Sequence, residues 1–280
     1  MRAIVRILCI ASLLAATLAV LVPGGSVGAV PQWAPAATAT IHPGVQTVTA
    51  GGQCTSNFVF YDSADNVYLG QAAHCSSTGG QTSTNGCDTG SLPLGTPVEV
   101  EGASQPGTMV YNSWLAMQAS GETDANTCDF NDFALVRLHP SDSSKVNPSI
   151  PHWGGPNGIN ATGTPAGQTV YSYGNSSLRL GLTVLSPKTG LSLGDAGAGW
   201  SHNVFTVTPG IPGDSGSAFL DASGRAVGVL STLQVAPLAG SNGVGDISRE
   251  LAYVAAHGGP SVQLAPGTEA FDPSQLPLGL

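Results

Sequence analysis

The chain has 280 residues, 41% of them hydrophobic, with a mean hydropathy of +0.15. That is length for one large domain or two small ones, and too apolar for wholesale disorder. Only 9% of residues are charged, against about 25% in a typical soluble domain, which excludes long charge-laced helices and coiled coils. Eight Lys and Arg face seventeen Asp and Glu, a formal net charge of −9, and Arg6 is the only base between Arg2 and Arg137, so nucleic acid is not an expected partner.

Taken in chain order, the first element is an export segment. Arg2 and Arg6 precede an uncharged apolar run from Ile7 to Val22. Pro23-Gly24-Gly25 breaks the run and Val27-Gly28-Ala29 offers a small-residue cleavage site, the grammar of a secretory signal peptide over residues 1–29. The run falls short of the roughly 20 residues that span a bilayer, so a secreted chain beginning near Val30 is expected, with no membrane span. Cys9 leaves with this segment. Cys54, Cys75, Cys87 and Cys128 remain, an even number for an oxidising compartment. Two disulfides are expected, with three connectivities open. No Cys-x-x-Cys pair and no His at ligand spacing point to a metal.

Residues 30–50, rich in Pro, Ala and Thr, read as an extended leader. Two β-rich runs, Asn57–Tyr61 and Asn66–Gly70, flank the polar Asp62–Asp65 and predict a hairpin. Further short apolar runs stand at 97–101, 133–138, 169–173, 180–185, 204–207, 218–220 and 226–230, nearly all separated by Gly, Pro, Asn, Ser or Asp. Many short strands with regular turn signals predict an all-β barrel or sandwich. Asp246 or Ser248 could cap one helix running to His257, stopped by Gly258-Gly259-Pro260. The loop-like 147–167 stretch is the candidate junction between two β lobes. It predicts lobes over 51–148 and 149–258, followed by a Pro-rich tail over 259–280, expected to be extended or mobile.

Three strings carry chemistry: Ala72-Ala73-His74-Cys75, Asp132-Phe133-Ala134-Leu135-Val136-Arg137-Leu138 and Gly213-Asp214-Ser215-Gly216. In chain order they supply His, Asp and Ser. A serine hydroxyl needs a neutral imidazole to take its proton, and the imidazole needs a carboxylate to fix its tautomer. The bland readings are a structural His beside a Cys and a Ser in a glycine turn. Asp129, three residues before Asp132, is the competing carboxylate. Asp132 is preferred because it abuts an apolar strand. His42, His139, His152, His202 and His257 lie in no motif and read as ordinary.

The three strings, in this order, resemble the chymotrypsin-like serine peptidases, in the style of their secreted actinobacterial branch, over roughly residues 50–258. The resemblance implies two antiparallel six-stranded β-barrels, a C-terminal helix and an active site in the cleft between barrels. It implies His74, Asp132 and Ser215 as triad, with the N–H groups of Gly213 and Ser215 as oxyanion hole. It also implies a Cys54–Cys75 disulfide pinning the histidine loop, which leaves Cys87 with Cys128. Asp214 matches an aspartate that, in the digestive members, pairs with a new N-terminus. No basic residue lies between Arg6 and Arg137 to allow such a cleavage there, so an internal partner is expected, with Arg179 the candidate. The specificity pocket maps onto Pro209, onto Ser231-Thr232-Leu233, and onto the neighbourhood of Gly243. Those positions carry no acid, and Leu233 stands where the family often has Gly, which predicts small or medium apolar side chains before the cut bond. Asp246 is close enough in sequence to challenge this. The implied activity is endopeptidase on protein or peptide substrate, as a monomer, without metal or organic cofactor. A catalytically silent protein that binds peptide or envelope material is the competing reading. An esterase using the same acyl chemistry is a third, without the Gly-x-Ser-x-Gly string of the α/β-hydrolases.

Overall fold

The computed structural model describes residues 30–79 and 84–275. The expected signal segment therefore lies outside the described residues. Fourteen strands are named among them. Seven belong to the first half of the chain: β1 (Gln46–Thr49), β2 (Gly52–Thr55), β3 (Val59–Tyr61), β4 (Val67–Gln71), β5 (Pro97–Val100), β6 (Gly107–Asn112) and β7 (Ala134–Arg137). Six follow: β8 (Thr169–Tyr173), β9 (Pro187–Ala196), β10 (Ser201–Thr206), β11 (Ala218–Asp221), β12 (Ala226–Gln234) and β13 (Ser241–Asp246). The last, β14 (Gln263–Leu264), comes from the tail. Helices α1 (Ser113–Ser120) and α2 (Ala125–Phe130) precede β7, and α3 (Ile247–Ala256) follows β13.

The second half is a closed six-stranded barrel in the order β10-β13-β12-β11-β8-β9. The first half departs from the expected six-stranded barrel. It is an eight-stranded sheet, β14-β3-β4-β7-β6-β5-β1-β2, whose two edges are not hydrogen-bonded to each other. All the pairings are antiparallel.

Side-chain alternation divides the interior. Successive residues of a strand face opposite sides of the sheet, so a strand covered on both sides is apolar throughout. Val59 and Tyr61 of β3, Val67 and Leu69 of β4, and Val136 of β7 fill the core of the first half. Phe60, Tyr68 and Leu135 point the other way. There they meet Ala218 and Leu220 of β11, Val229 of β12, Trp153 and Val254 of α3 in one core between the halves. Phe219, Val227, Leu230 and Val244 fill the closed barrel. Each fully buried Leu or Phe in these clusters contributes roughly 1.5–3 kcal/mol from water exclusion.

Several expectations need correction. The leader is extended, but its last residues form β1 of the sheet, and Ile41 is fully buried in the first core. The run 180–185 is not a strand. It makes short 3-10 turns at Ser177–Arg179 and Thr183–Leu185, with Leu180 at φ 52° and 88% exposed. A left-handed residue followed by Gly181 breaks the extended path. The tail is extended but anchored. Gln263 and Leu264 pair with Tyr61 and Phe60, Ala265 is fully buried, and Phe271 stacks edge-on against Tyr171 at 5.3 Å. Helix α3 begins where the sequence puts it, the Asp246 side chain accepting from Arg249 N–H.

Candidate active site

His74 sits in a 3-10 turn, Ala73–Ser76, directly after β4. Asp132 lies between α2 and β7, and β7 pairs with β4 in register, Gln71 opposite Ala134. That pairing brings the two side chains together. Asp132 Oδ1 accepts from the His74 backbone N–H at 2.9 Å, and Oδ2 accepts from His74 Nδ1 at 2.6 Å. A carboxylate only accepts, so Nδ1 carries the proton and Nε2 is left as the basic nitrogen. Asp132 is 3% exposed. Burial alone would raise its carboxyl, but the charge of and hydrogen bond from His74 outweigh this and hold it below the ordinary range. Burial alone would lower the His74 imidazole, and Asp132 raises it above its ordinary value. Asp129, the competing carboxylate, instead accepts from Asn85 Nδ2 at 2.8 Å.

The serine turn comes from the other half. The carbonyl of Ser215 accepts from Thr55 N–H of β2 at 2.8 Å. A Cβ on Gly216 would lie 2.5 Å from the Thr55 carbonyl oxygen and 3.0 Å from Ala72 N, two residues before His74. Gly213 holds φ at +93°, a left-handed conformation that any side chain would strain. The N–H groups of Asp214, Gly216 and Ser217 are all bonded within the protein. Those of Gly213 and Ser215 have no partner among the described residues. The turn thus leaves two N–H groups, either side of Asp214, without a partner among the described residues. Among the described residues no hydrogen bond joins Ser215 Oγ to His74 Nε2.

Asp214 is fully buried beneath this turn. Its Oδ2 accepts from Arg179 Nη2 at 2.6 Å and its Oδ1 from Ser176 N–H at 3.0 Å, which answers the expectation for Arg179. The same Arg179 nitrogen donates to the Pro209 carbonyl at 2.9 Å. A second cation went unnoticed in the sequence. Lys188 of β9 is fully buried, its Nζ 3.1 Å from Asp214 Oδ2, an ion pair off the hydrogen-bonding axis. Burial first, and Arg179 beside it, bring Lys188 down to about 8 against the pull of Asp214.

Disulfides join Cys54 to Cys75 and Cys87 to Cys128. The first ties β2 to the turn that carries His74. Cys54, His74 and Cys75 lie close enough to suggest a metal cluster, but both sulfurs are consumed in the bridge.

A cavity of about 420 Å³ is lined in part by Asp129, Phe130, Ser231, Thr232, Leu233, Gln234 and Gly243. Ser231 does more than line it. Its Oγ donates to Asp132 Oδ2 at 2.5 Å. Thr232 pairs with Gly243, and a Cβ there would meet Thr232 Oγ1 at 2.5 Å and Gln234 Nε2 at 2.7 Å. The crowding over Gly243 therefore comes from Thr232 and Gln234. Leu233 lines the cavity too but is 56% exposed and is not among the atoms nearest to Gly243. Pro209 does not line the cavity. Asp246 is committed elsewhere, to Arg249 N–H and to His202 Nε2 at 3.0 Å. His202, read as ordinary, is buried between Asp246 and Asp195, with Nδ1 2.7 Å from Asp195 Oδ1. Nothing local in the sequence announces Lys188 or His202, whose partners lie on other strands.

No protein-family model and no curated protein matches the chain. Solved structures do. Protease A of Thermobifida fusca superposes with a TM-score of 0.52 at 18% identity, over 81% of this chain and 99% of that one. A Glu endopeptidase superposes with a TM-score of 0.50 at 15% identity, over 76% of this chain and 89% of that one. This chain has the chymotrypsin-like fold, with one barrel closed and the other opened into a curled sheet.

Proposed function

We propose that the protein is a secreted serine endopeptidase that acts through an acyl-enzyme on Ser215. The observation that carries this reading is the His74–Asp132 pair at 2.6 Å, with Nε2 left unprotonated, and it is supported by a serine turn whose Gly213 and Ser215 N–H groups have no partner among the described residues. As Ser215 Oγ bonds to the scissile carbonyl carbon, its proton passes to His74 Nε2, and the carbonyl oxygen gains negative charge facing those donors. His74 then gives the proton to the leaving amine nitrogen as the C–N bond breaks. Water repeats the sequence and frees Ser215.

For the side chain before the cut bond, the cavity over Gly243 favours small residues. Thr232 and Gln234 fill the space that a large side chain would need. Of the nearby acids, Asp246 is tied to His202 and capped onto α3, and Asp129, which lines the cavity at its Phe130 side, accepts from Asn85 Nδ2, so neither is placed over Gly243 to attract Lys or Arg.

The absent Ser215–His74 hydrogen bond favours the second reading, a silent binder. Apo sites often lengthen this contact, so it does not decide the matter. Labelling with a fluorophosphonate does. Wild type should label and Ser215→Ala should not. An unlabelled wild type that still binds peptide would establish the binder. Matched peptide and ester substrates then separate endopeptidase from esterase, and N-terminal sequencing of exported protein should begin near Val30.

A further inference from the structure

The buried carboxylates in ion pairs are easily accounted for. Asp132 pairs with His74, Asp142 with Lys145, Asp214 with Arg179 and Lys188, Asp221 with Arg225, and Asp246 with His202. Glu250, on α3, is fully buried and has no ion-pair partner among the described residues. Its Oε1 accepts the backbone N–H of Asp132 at 3.2 Å, and its Oε2 has no hydrogen-bond partner. A Cβ on Gly245 would collide with Oε1, so the carboxyl occupies the space behind the strand that walls the cavity.

An ionised carboxylate without a cation costs several kcal/mol in such a place, and keeping the proton avoids that cost. The charged groups around it agree. The acids whose charge reaches it are Asp132, before β7, and Asp246, at the end of β13, and from β6 it meets Tyr111, an uncharged hydroxyl. We propose that Glu250 is a positioning residue of the triad: as a neutral carboxylic acid it holds the backbone of Asp132 in place, and its neutrality keeps another negative charge from being set directly against the Asp132 carboxylate. The inference rests on the triad assigned above. Burial first, then the charge of Asp132, pushes the Glu250 carboxyl well above the ordinary range. The arrangement also bolts the halves together, since α3 follows the closed barrel while Asp132 belongs to the curled sheet.

The test compares Glu250→Gln and Glu250→Ala with wild type. Glutamine is a neutral acceptor of the same shape. If Glu250 is neutral, the His74 ring in E250Q titrates, by NMR, within about 0.3 pH units of wild type, and the acid limb of kcat/KM stays with it. A charged Glu250 would instead let His74 fall by about one pH unit or more in E250Q, which overturns the proposal. Infrared difference spectra at neutral pH should show a protonated-carboxyl stretch lost in E250Q. No lost band also overturns it. E250A should lose kcat by about 10- to 100-fold, with KM little changed, and shift the low-field His74 Nδ1 proton resonance, while E250Q restores both. An E250A indistinguishable from wild type refutes positioning. Should E250A fail to fold, the E250Q titration and spectra decide alone. Should wild type prove inactive, the endopeptidase reading fails, while the titration and spectra still judge Glu250.

Discussion

Replacing Lys188 by Met should change how stability depends on pH. Lys188 is fully buried against Asp214 and takes a proton with a pKa of about 8, against an ordinary 10.5. The shift is downward, so between those values the unfolded chain holds a proton that the folded chain has released. Stability contributed by this group therefore rises with pH across that window, with a slope approaching 1.4 kcal/mol per unit. Integrating the two titrations gives a gain of about 2 kcal/mol for wild type between pH 7 and 9.5. Other groups titrate too. The Tyr68 hydroxyl, for example, is pushed up to about 12, first by burial and then by Asp62. Lys188→Met leaves those contributions in place and removes the lysine's. The assay is urea unfolding of both proteins, disulfides intact, at half-unit steps from pH 7 to 9.5. The wild-type minus K188M difference should climb by about 2 kcal/mol. A difference flat to within about 0.5 kcal/mol would mean that Lys188 keeps an ordinary proton affinity, and that Asp214 holds both cations without strain on either.

Three further outcomes are expected. Asp132 raises the His74 imidazole, so kcat/KM should fall on the acid side through a pKa above the ordinary 6.5; an acid limb near pH 4 in a pH–rate profile would remove His74 as base. Ser231→Ala deletes the hydroxyl that donates to Asp132 Oδ2, so Asp132 should bind its proton more readily and kcat should fall by about 10-fold, measured with one peptide substrate against wild type. Gln234→Ala should open the space above Gly243 and raise the Phe-to-Ala preference before the cut bond by about 10- to 200-fold in a substrate series, whereas Leu233→Ala should move that ratio much less.

What could be read in the sequence was whatever is local. The hairpin at β3 and β4, strand β8, and the helix capped by Asp246 each carry period and punctuation in one short stretch. The His, Asp and Ser strings were legible because each packs its chemistry into a few consecutive residues. The missed parts join distant segments. Strand β9 spreads its apolar residues among glycines, and its one lysine reads as a solvent-facing charge until Asp214 is seen beside it. The tail has no period of its own, because β14 is only two residues long and borrows its register from β3. From the sequence, Ser231 has a pocket-lining role alone. The bulge between Leu230 and Thr232 turns its hydroxyl to Asp132, and no sequence pattern encodes that bulge. Glu250, four residues after the cap residue Asp246, sits in a helical run where a glutamate ordinarily faces water.

These missed contacts explain how a site split between two halves is held together. Asp132 is clamped from three directions. His74 reaches it from the curled sheet, Ser231 from the closed barrel and Glu250 from α3. The serine turn is clamped likewise, by Thr55 N–H on the Ser215 carbonyl and by Thr55 Oγ1 and Gln53 Nε2 on the Gly213 carbonyl. Holding the Gly213 carbonyl outward fixes which way the neighbouring peptide groups face. A rotation of one half against the other would therefore have to break these bonds together rather than one at a time. Each is worth only about 0.5–1.5 kcal/mol, more where a charge takes part, but they share one interface and resist as a set. The large aromatic core between the halves supplies the bulk cohesion, and the short polar contacts above it set the geometry that the chemistry needs.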